Sequence, residues 1–206
     1  MFASDRDLLV LEPSLFTRVA WVGQRLVRGT GAVTGTTLAA TEQDVGFEDA
    51  GVTPGMVVLA GGVPMEVIAV TAQSTLEVSR VRADPSSPAR RPPPQTGAAF
   101  EIATFGPQLA DVHRRLLTMV GMEGADEPSI VNAGELWRLE ALGALHLIWA
   151  GASASGGEHA REAERAEWYR LRFDQERRRA RAEIDTDADG VADAARSFSS
   201  VAMVRA

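Results

Sequence analysis

Asp185, Asp187 and Asp189 alternate along one short stretch, and Gly190 and Asp193 follow. Acids at positions one, three, five and nine, with glycine at six, form the first part of a calcium loop. Alternate carboxylates converge there on one hard cation, and glycine permits the sharp turn. The twelfth position, where a bidentate glutamate belongs, is Arg196. The stretch therefore has two readings. In one, Asp185, Asp187, Asp189 and Asp193 make a partial calcium site, weak or completed by a neighbouring chain. In the other, the same residues make an acidic Asx-turn that ends a long helix.

The other chemistry-bearing residues form no comparable pattern. His113 and His146 fall inside helical patterns, and His159 lies near a helix start beside acids. They share no spacing, whereas zinc needs three or four convergent ligands. Gly29, Gly31 and Gly35 imitate a phosphate loop, but the chain has no lysine to complete one. Hairpin turns explain these glycines better. No Gly-x-Ser-x-Gly elbow is present, and no pair of acids is placed for catalysis. Arg177, Arg178, Arg179 and Arg181 read as the solvated end of a helix rather than a phosphate contact. The expectation is a protein that is not an enzyme and needs no cofactor, unless the aspartate loop takes calcium.

Composition narrows the class further. The 206 residues are 45% hydrophobic and 24% charged, a globular balance that can bury a core without staples. The absence of cysteine excludes a disulfide framework, a thiolate zinc site and a cysteine nucleophile. Every basic side chain is arginine, which reads as the signature of a GC-rich genome. The net charge of -7 argues against a duplex-binding protein. The first seven residues lack the basic start and apolar run of a secretory signal. The most apolar stretch, 136–149, contains Arg138, Glu140 and His146 and is too short for a bilayer. These features predict a soluble protein made in a reducing cytoplasm.

The elements that position these residues change type near Phe105. Before it the chain is rich in Val, Thr and Gly; after it, in Ala, Leu, Arg and Glu. Strands are expected over 19–27, 36–41, 56–60, 63–70, 75–81 and 98–103, with Gly61-Gly62 as a hairpin turn and one helical turn within 43–51. The proline-dense stretch 83–97 is a loop. Many short strands between turn signals predict a small barrel or sandwich. Three helices follow. The first spans about 107–120, with Leu109, Val112, Leu116, Met119 and Val120 on one face. The second spans about 133–150, opened by an Asn132/Glu135 capping box. The third runs from after Gly157 to about Ile184, with acids early and arginines late; Trp168, Leu171 and Phe173 are its apolar anchors. The fold class is α+β: a three-helix bundle, a small strand-rich, β-barrel-like module and an extended C-terminal arm. The divisions fall at residues 1–104, 105–184 and 185–206.

That order, with the helix that opens at Phe105-Gly106-Pro107, the long Trp168-to-Arg177 helix and the Ile184-to-Asp193 stretch before a terminal arm, resembles the head-to-tail adaptor (connector) proteins of long-tailed bacteriophages. The resemblance covers residues 105–206, and the strand-rich module is similar to insertions some of these adaptors carry. It implies a structural virion protein of the neck, made in the host bacterial cytoplasm, that forms a homo-oligomeric ring of twelve beneath the portal protein. The helical block would supply the ring contacts through Trp168, Leu171 and Phe173. An arm of residues 197–206 would dock into the portal by strand addition, with Phe198, Val201, Met203 and Val204 giving specificity. The opposite face would recruit a tail stopper or terminator. DNA would cross the lumen during genome ejection without specific binding, and no membrane would be involved. The alternative is a calcium-dependent soluble binding module using residues 185–193.

Overall fold

A computed structural model describes residues 1–122, 129–154 and 160–198. Over those residues the protein is α+β with a closed six-stranded β-barrel. It divides into two compact units, Ser4–Pro107 and Met1–Ala3 together with Gln108–Ala206.

The first unit opens with two short helices, α1 (Asp5–Leu11) and α2 (Leu15–Arg18). Leu8, Leu9, Leu15, Phe16 and Val19 recur at helical spacing and are all buried, which gives both helices a core face. A strand was expected from residue 19. Instead Ala20–Val22 forms a 3-10 turn, and β1 (Gln24–Thr34) starts after it. The remaining strands are β2 (Thr37–Gln43), β3 (Val57–Ala60), β4 (Val63–Ala72), β5 (Thr75–Ser79) and β6 (Gln95–Thr104), close to their expected positions. The barrel order is β1-β2-β5-β4-β3-β6. Gly61 and Gly62, both at positive φ, make the tight turn from β3 to β4, the conformation a two-residue hairpin loop requires. Alternate residues point inward. Val27, Leu38, Val58, Met65, Leu76, Val78 and Ile102 fill the barrel, and Phe47 packs on Phe100 at 5.7 Å between ring centroids.

Two buried acids tie this unit together. Glu66 on β4 is sealed from solvent. Its Oε2 accepts from Arg6 Nε at 2.8 Å, and its Oε1 accepts from Arg82 Nε at 2.5 Å and the Arg82 amide at 3.1 Å. Arg6 also donates to the Arg82 carbonyl and to Asp7. One carboxylate thus fastens α1 and the segment after β5 to the barrel wall. Asp5 Oδ1 accepts the Phe105 amide at 2.8 Å. Burial pushes the Asp5 carboxyl up to about 6; the hydrogen bonds from Thr104 and Phe105 oppose that shift, and the Asp7 charge adds to it.

The second unit contains α3 (Gly106–Met119, from Gln108 onward), α4 (Trp137–Ala154) and α5 (Ala160–Arg179). Helix α4 is buried on nearly every side. At Gly143 a Cβ would stand 2.8 Å from Val112 of α3 and 3.0 Å from the Phe173 ring of α5, so glycine permits the close approach of all three helices. Glu140 of α4 is sealed from solvent. It accepts from the Phe2 amide at 3.1 Å and the Ala3 amide at 3.2 Å, and it meets His113 Nδ1 at 2.7 Å. Those bonds attach Met1–Ala3 to this unit rather than to the barrel. The Asn132/Glu135 box does not open α4. A 3-10 turn (Ala133–Glu135) precedes the helix. The Asn132 side chain donates to the Arg181 carbonyl and accepts from the Glu183 amide, both at 2.9 Å, and reaches the Glu135 carboxylate only at 3.5 Å. Helix α5 stops at Arg179 instead of near Ile184. From Arg181 burial alternates, with Ala182 and Ile184 inside, a strand period that no helix satisfies. The result is a sheet of β7 (Ser129–Ile130), β8 (Arg181–Asp185) and β9 (Ala194–Ser197) in that order. No helix among the described residues is long and apolar enough to cross a membrane.

Glu66→Ala is expected to cost about 3–5 kcal/mol, because it strands two buried guanidinium groups. Joint replacement of Arg6, Glu66 and Arg82 by methionine is expected to cost less than that single change, and urea denaturation compares the two. A second expectation concerns pH. Folded Asp5 holds its proton up to about pH 6, against an ordinary value of 3.8, so the folded state binds more protons in between. Its contribution is fully present below pH 4 and is lost as pH rises through 6. That loss sums to about 3 kcal/mol, and Asp5→Asn should flatten stability across this window.

Candidate functional site

The surface with most chemical character lies in the second unit, on the β8–β9 hairpin and the outward face of α5. The hairpin loop holds the aspartates. Asp185 is the last residue of β8, and its carboxylate caps the loop from below. Oδ1 accepts from the Asp187 and Ala188 amides at 3.2 and 2.7 Å, and Oδ2 from the Gly190 amide at 2.8 Å. Asp193 Oδ2 accepts from the Thr186 amide at 2.7 Å and hydroxyl at 2.6 Å. Asp189 Oδ1 accepts from the Val191 amide at 2.7 Å. The turn passes through positive φ at Ala188 and Gly190. Such bonds favour the charged acid. The Gly190 amide foremost holds the Asp185 carboxyl below the usual aspartate range, and the Thr186 hydroxyl does the same for Asp193.

Ligand oxygens of Asp185, Asp187 and Asp193 lie within 4.8 Å of one another. Among the described residues these three are placed so that they could hold a cation; Asp189, read with them from its spacing, falls outside the cluster. Much of the cluster's acceptor capacity already serves backbone amides and Thr186, as in an Asx-turn. Position twelve of the loop has its own task. Arg196 Nη1 donates to the Val120 carbonyl at 2.5 Å and the Gly121 carbonyl at 3.3 Å, capping the carbonyls that α3 leaves unpaired at its end. The loop thus replaces the missing glutamate with an arginine that binds a helix terminus.

The apolar residues expected to make contacts divide into two groups. Phe173 turns inward onto Gly143 and α4, because it lies on the face of α5 that packs against that helix. Phe198, expected in a free arm, is 1% exposed and completes the core of its own unit. The arm positions Val201, Met203 and Val204 lie outside the described residues. Trp168 and Leu171 face outward, each 48% exposed. The Arg172 guanidinium lies 4.5 Å over the Trp168 ring, and Tyr169 meets that ring edge-on at 4.7 Å. A tryptophan held on two sides in this way presents a fixed apolar surface.

His146 Nδ1 meets the Ala166 carbonyl at 3.0 Å, and His113 serves Glu140. Each has a packing role, and they do not converge on one point. His159 lies outside the described residues. The sequence reading missed Glu66, Glu140 and Asn132 as organising residues. Their signal was faint: an acid inside an apolar run, as at Glu66 within 63–70 and Glu140 within 136–149, marks a position that must find a buried partner.

The chain matches no known family model, no curated protein and no solved structure.

With its acceptors largely engaged and arginine at position twelve, the loop is expected to give no saturating calcium heat below about 0.1 mM. Asp187→Ala should leave Tm unchanged in calcium or in chelator, read by calorimetry.

Proposed function

We propose that this protein is a structural virion protein of the head-to-tail adaptor kind, assembling as a ring that joins a portal vertex to a tail. The observation that carries the reading is the outward pair Trp168 and Leu171. They stand on a helix whose other large apolar residues, Tyr169 and Phe173, face inward. A rigid tryptophan flanked by arginine is the composition of an interface anchor. Left uncovered beside Leu171, it suits a contact with a partner.

Two further features support the reading. Among the described residues, strand β9 is an outer strand of its sheet, the position from which strand addition extends a sheet. Eight residues follow Phe198, including Val201, Met203 and Val204, so the docking arm begins after Phe198 rather than at 197. The acidic balance of -7 suits a lumen through which DNA slides without being held. In this reading the three helices form the ring's bundle, twelve copies close it, and the tail side recruits a stopper or terminator protein. No catalytic step, cofactor or membrane enters the mechanism.

A second reading, a calcium-dependent binding module, is favoured by the convergence of Asp185, Asp187 and Asp193. Stoichiometric calcium heat that disappears in Asp187→Ala would carry that reading instead.

Negative-stain imaging of the chain mixed with a portal protein from the same genome is expected to show rings stacked on the portal. Removal of residues 199–206, which keeps buried Phe198, should abolish portal binding without lowering Tm. Intact binding by that truncated chain sinks the arm-docking step. A portal that stays bare with the full chain sinks the adaptor reading.

A further inference from the structure

The barrel unit carries an apolar groove of about 590 Å³ beside α1 and the start of β4. Leu9 lies buried within it, half-buried Val10, Val63, Pro64 and Val81 line it, and exposed Arg80 stands on its rim. Proline fixes its own backbone, so the wall at Pro64 is preformed. The second unit carries the converse feature. Along one face of α5, Glu164, Trp168 and Leu171 follow at spacings of four and three, all exposed, and Arg172 stacks on the tryptophan.

We infer that Trp168 and Leu171 of one copy seat in the Leu9–Val10–Val63–Pro64–Val81 groove of the next copy, with Glu164 meeting Arg80. The inference deepens the ring reading above and rests on it. Three arguments select a second copy as the occupant. The Trp168–Leu171 projection and the recess are both apolar, and a single contact covers both, whereas pairing α5 with its own image leaves the recess open. The charges agree in order: an acid lies one turn before the tryptophan, and an arginine lies at the edge of the recess. The two surfaces are different, so the contact is head-to-tail. Repeating a head-to-tail contact closes a ring when its rotation permits. The mode is a helix laid into a groove, anchored at i and i+3. Its entropic cost is lowered because Arg172 already restrains the indole.

The cysteine-free sequence makes the contact directly testable, since any disulfide formed must be the engineered one. Leu171→Cys and Val63→Cys chains of different tag length are mixed and oxidised, both concentrated and after binding to portal. The expected product is the mixed dimer. The chain carrying both changes should give a ladder of covalent oligomers. Trp168→Ala in that background should lower the crosslinked yield about thirty-fold, while its circular dichroism and Tm match the parent. Dimers formed only between two Leu171→Cys chains overturn the inference in favour of helix-to-helix pairing, and an absence of covalent species under both conditions overturns it outright. Rings on the portal without the mixed crosslink leave the adaptor reading standing and remove this contact. The mixed crosslink in a chain that ignores portal does the reverse.

Discussion

A carboxylate with no exposed surface needs protein donors in place of the water it has lost, and Glu66 finds them in Arg6 and Arg82. The consequences spread outward from there. Arg6 must come from α1, so the N-terminal helix is bound to the barrel wall. Arg82 must come from the chain just beyond β5, so the proline-dense segment, expected to pair nowhere, begins from a fixed point and joins the barrel as β6 from Gln95. Arg6 then donates to the Arg82 carbonyl, which closes the cluster into a loop of bonds. The groove beside α1 inherits its shape from this arrangement, since Val10 and Val81 flank the two anchored arginines. An ion pair buried this deeply adds little net stability over apolar packing. What it supplies is a single permitted register of helix against barrel.

The second unit uses the same device with a different donor set. Glu140 lies on the most buried helix, and its partners are His113 and two backbone amides of the first three residues. A backbone amide carries no sequence signature, so this strap depends on where the chain runs and not on which residue lies there. Around α4, three surfaces are accounted for: α3 at Val112, α5 at Phe173 and the N-terminal strap at Glu140. Because α4 takes the inward residues of α5, Trp168 and Leu171 on its other face stay exposed among the described residues. The exposure of Trp168 and Leu171 follows from the packing of Tyr169 and Phe173.

The parts of this fold legible in the sequence were those set by local period. The apolar run at 56–60, the run at 63–70 and the alternation at 75–81 announced barrel strands, and Gly61-Gly62 announced a turn between two of them. Leu109, Val112 and Leu116 announced the face of α3. The parts that stayed hidden depend on long-range partners. Helices α1 and α2 are short, and their apolar residues sit beside acids, so a reader of composition sees a nondescript leader. The stretch after Arg179 continues a helical composition but changes period at Ala182 and Ile184, and two residues are too few to override twenty. Asn132 looked like a helix cap because its side chain suits one. Instead it completes a strand's hydrogen bonding, a role visible only once β8 lies beside it. At the candidate site, the aspartate spacing was readable, but which oxygens remained free was not.

The aspartate loop and the apolar stripe illustrate how motif and function separate. The loop carries the stronger pattern, yet nearly every feature of it has a local structural use. Asp185 gathers the amides of the turn, Asp193 closes it through Thr186, and Arg196 leaves the loop to cap α3. A residue that binds a helix end cannot also serve as the missing glutamate. The loop's geometry therefore fixes where β9 begins, how it pairs with β8, and that Phe198 enters the core. Trp168 and Leu171 match no motif, and the contacts described for Trp168 are with its helix neighbours Tyr169 and Arg172 rather than with the core. Their cost is borne by an exposed apolar surface on an otherwise charged helix. Side chains that the fold does not need, presented in fixed positions, are where a partner has the most to gain.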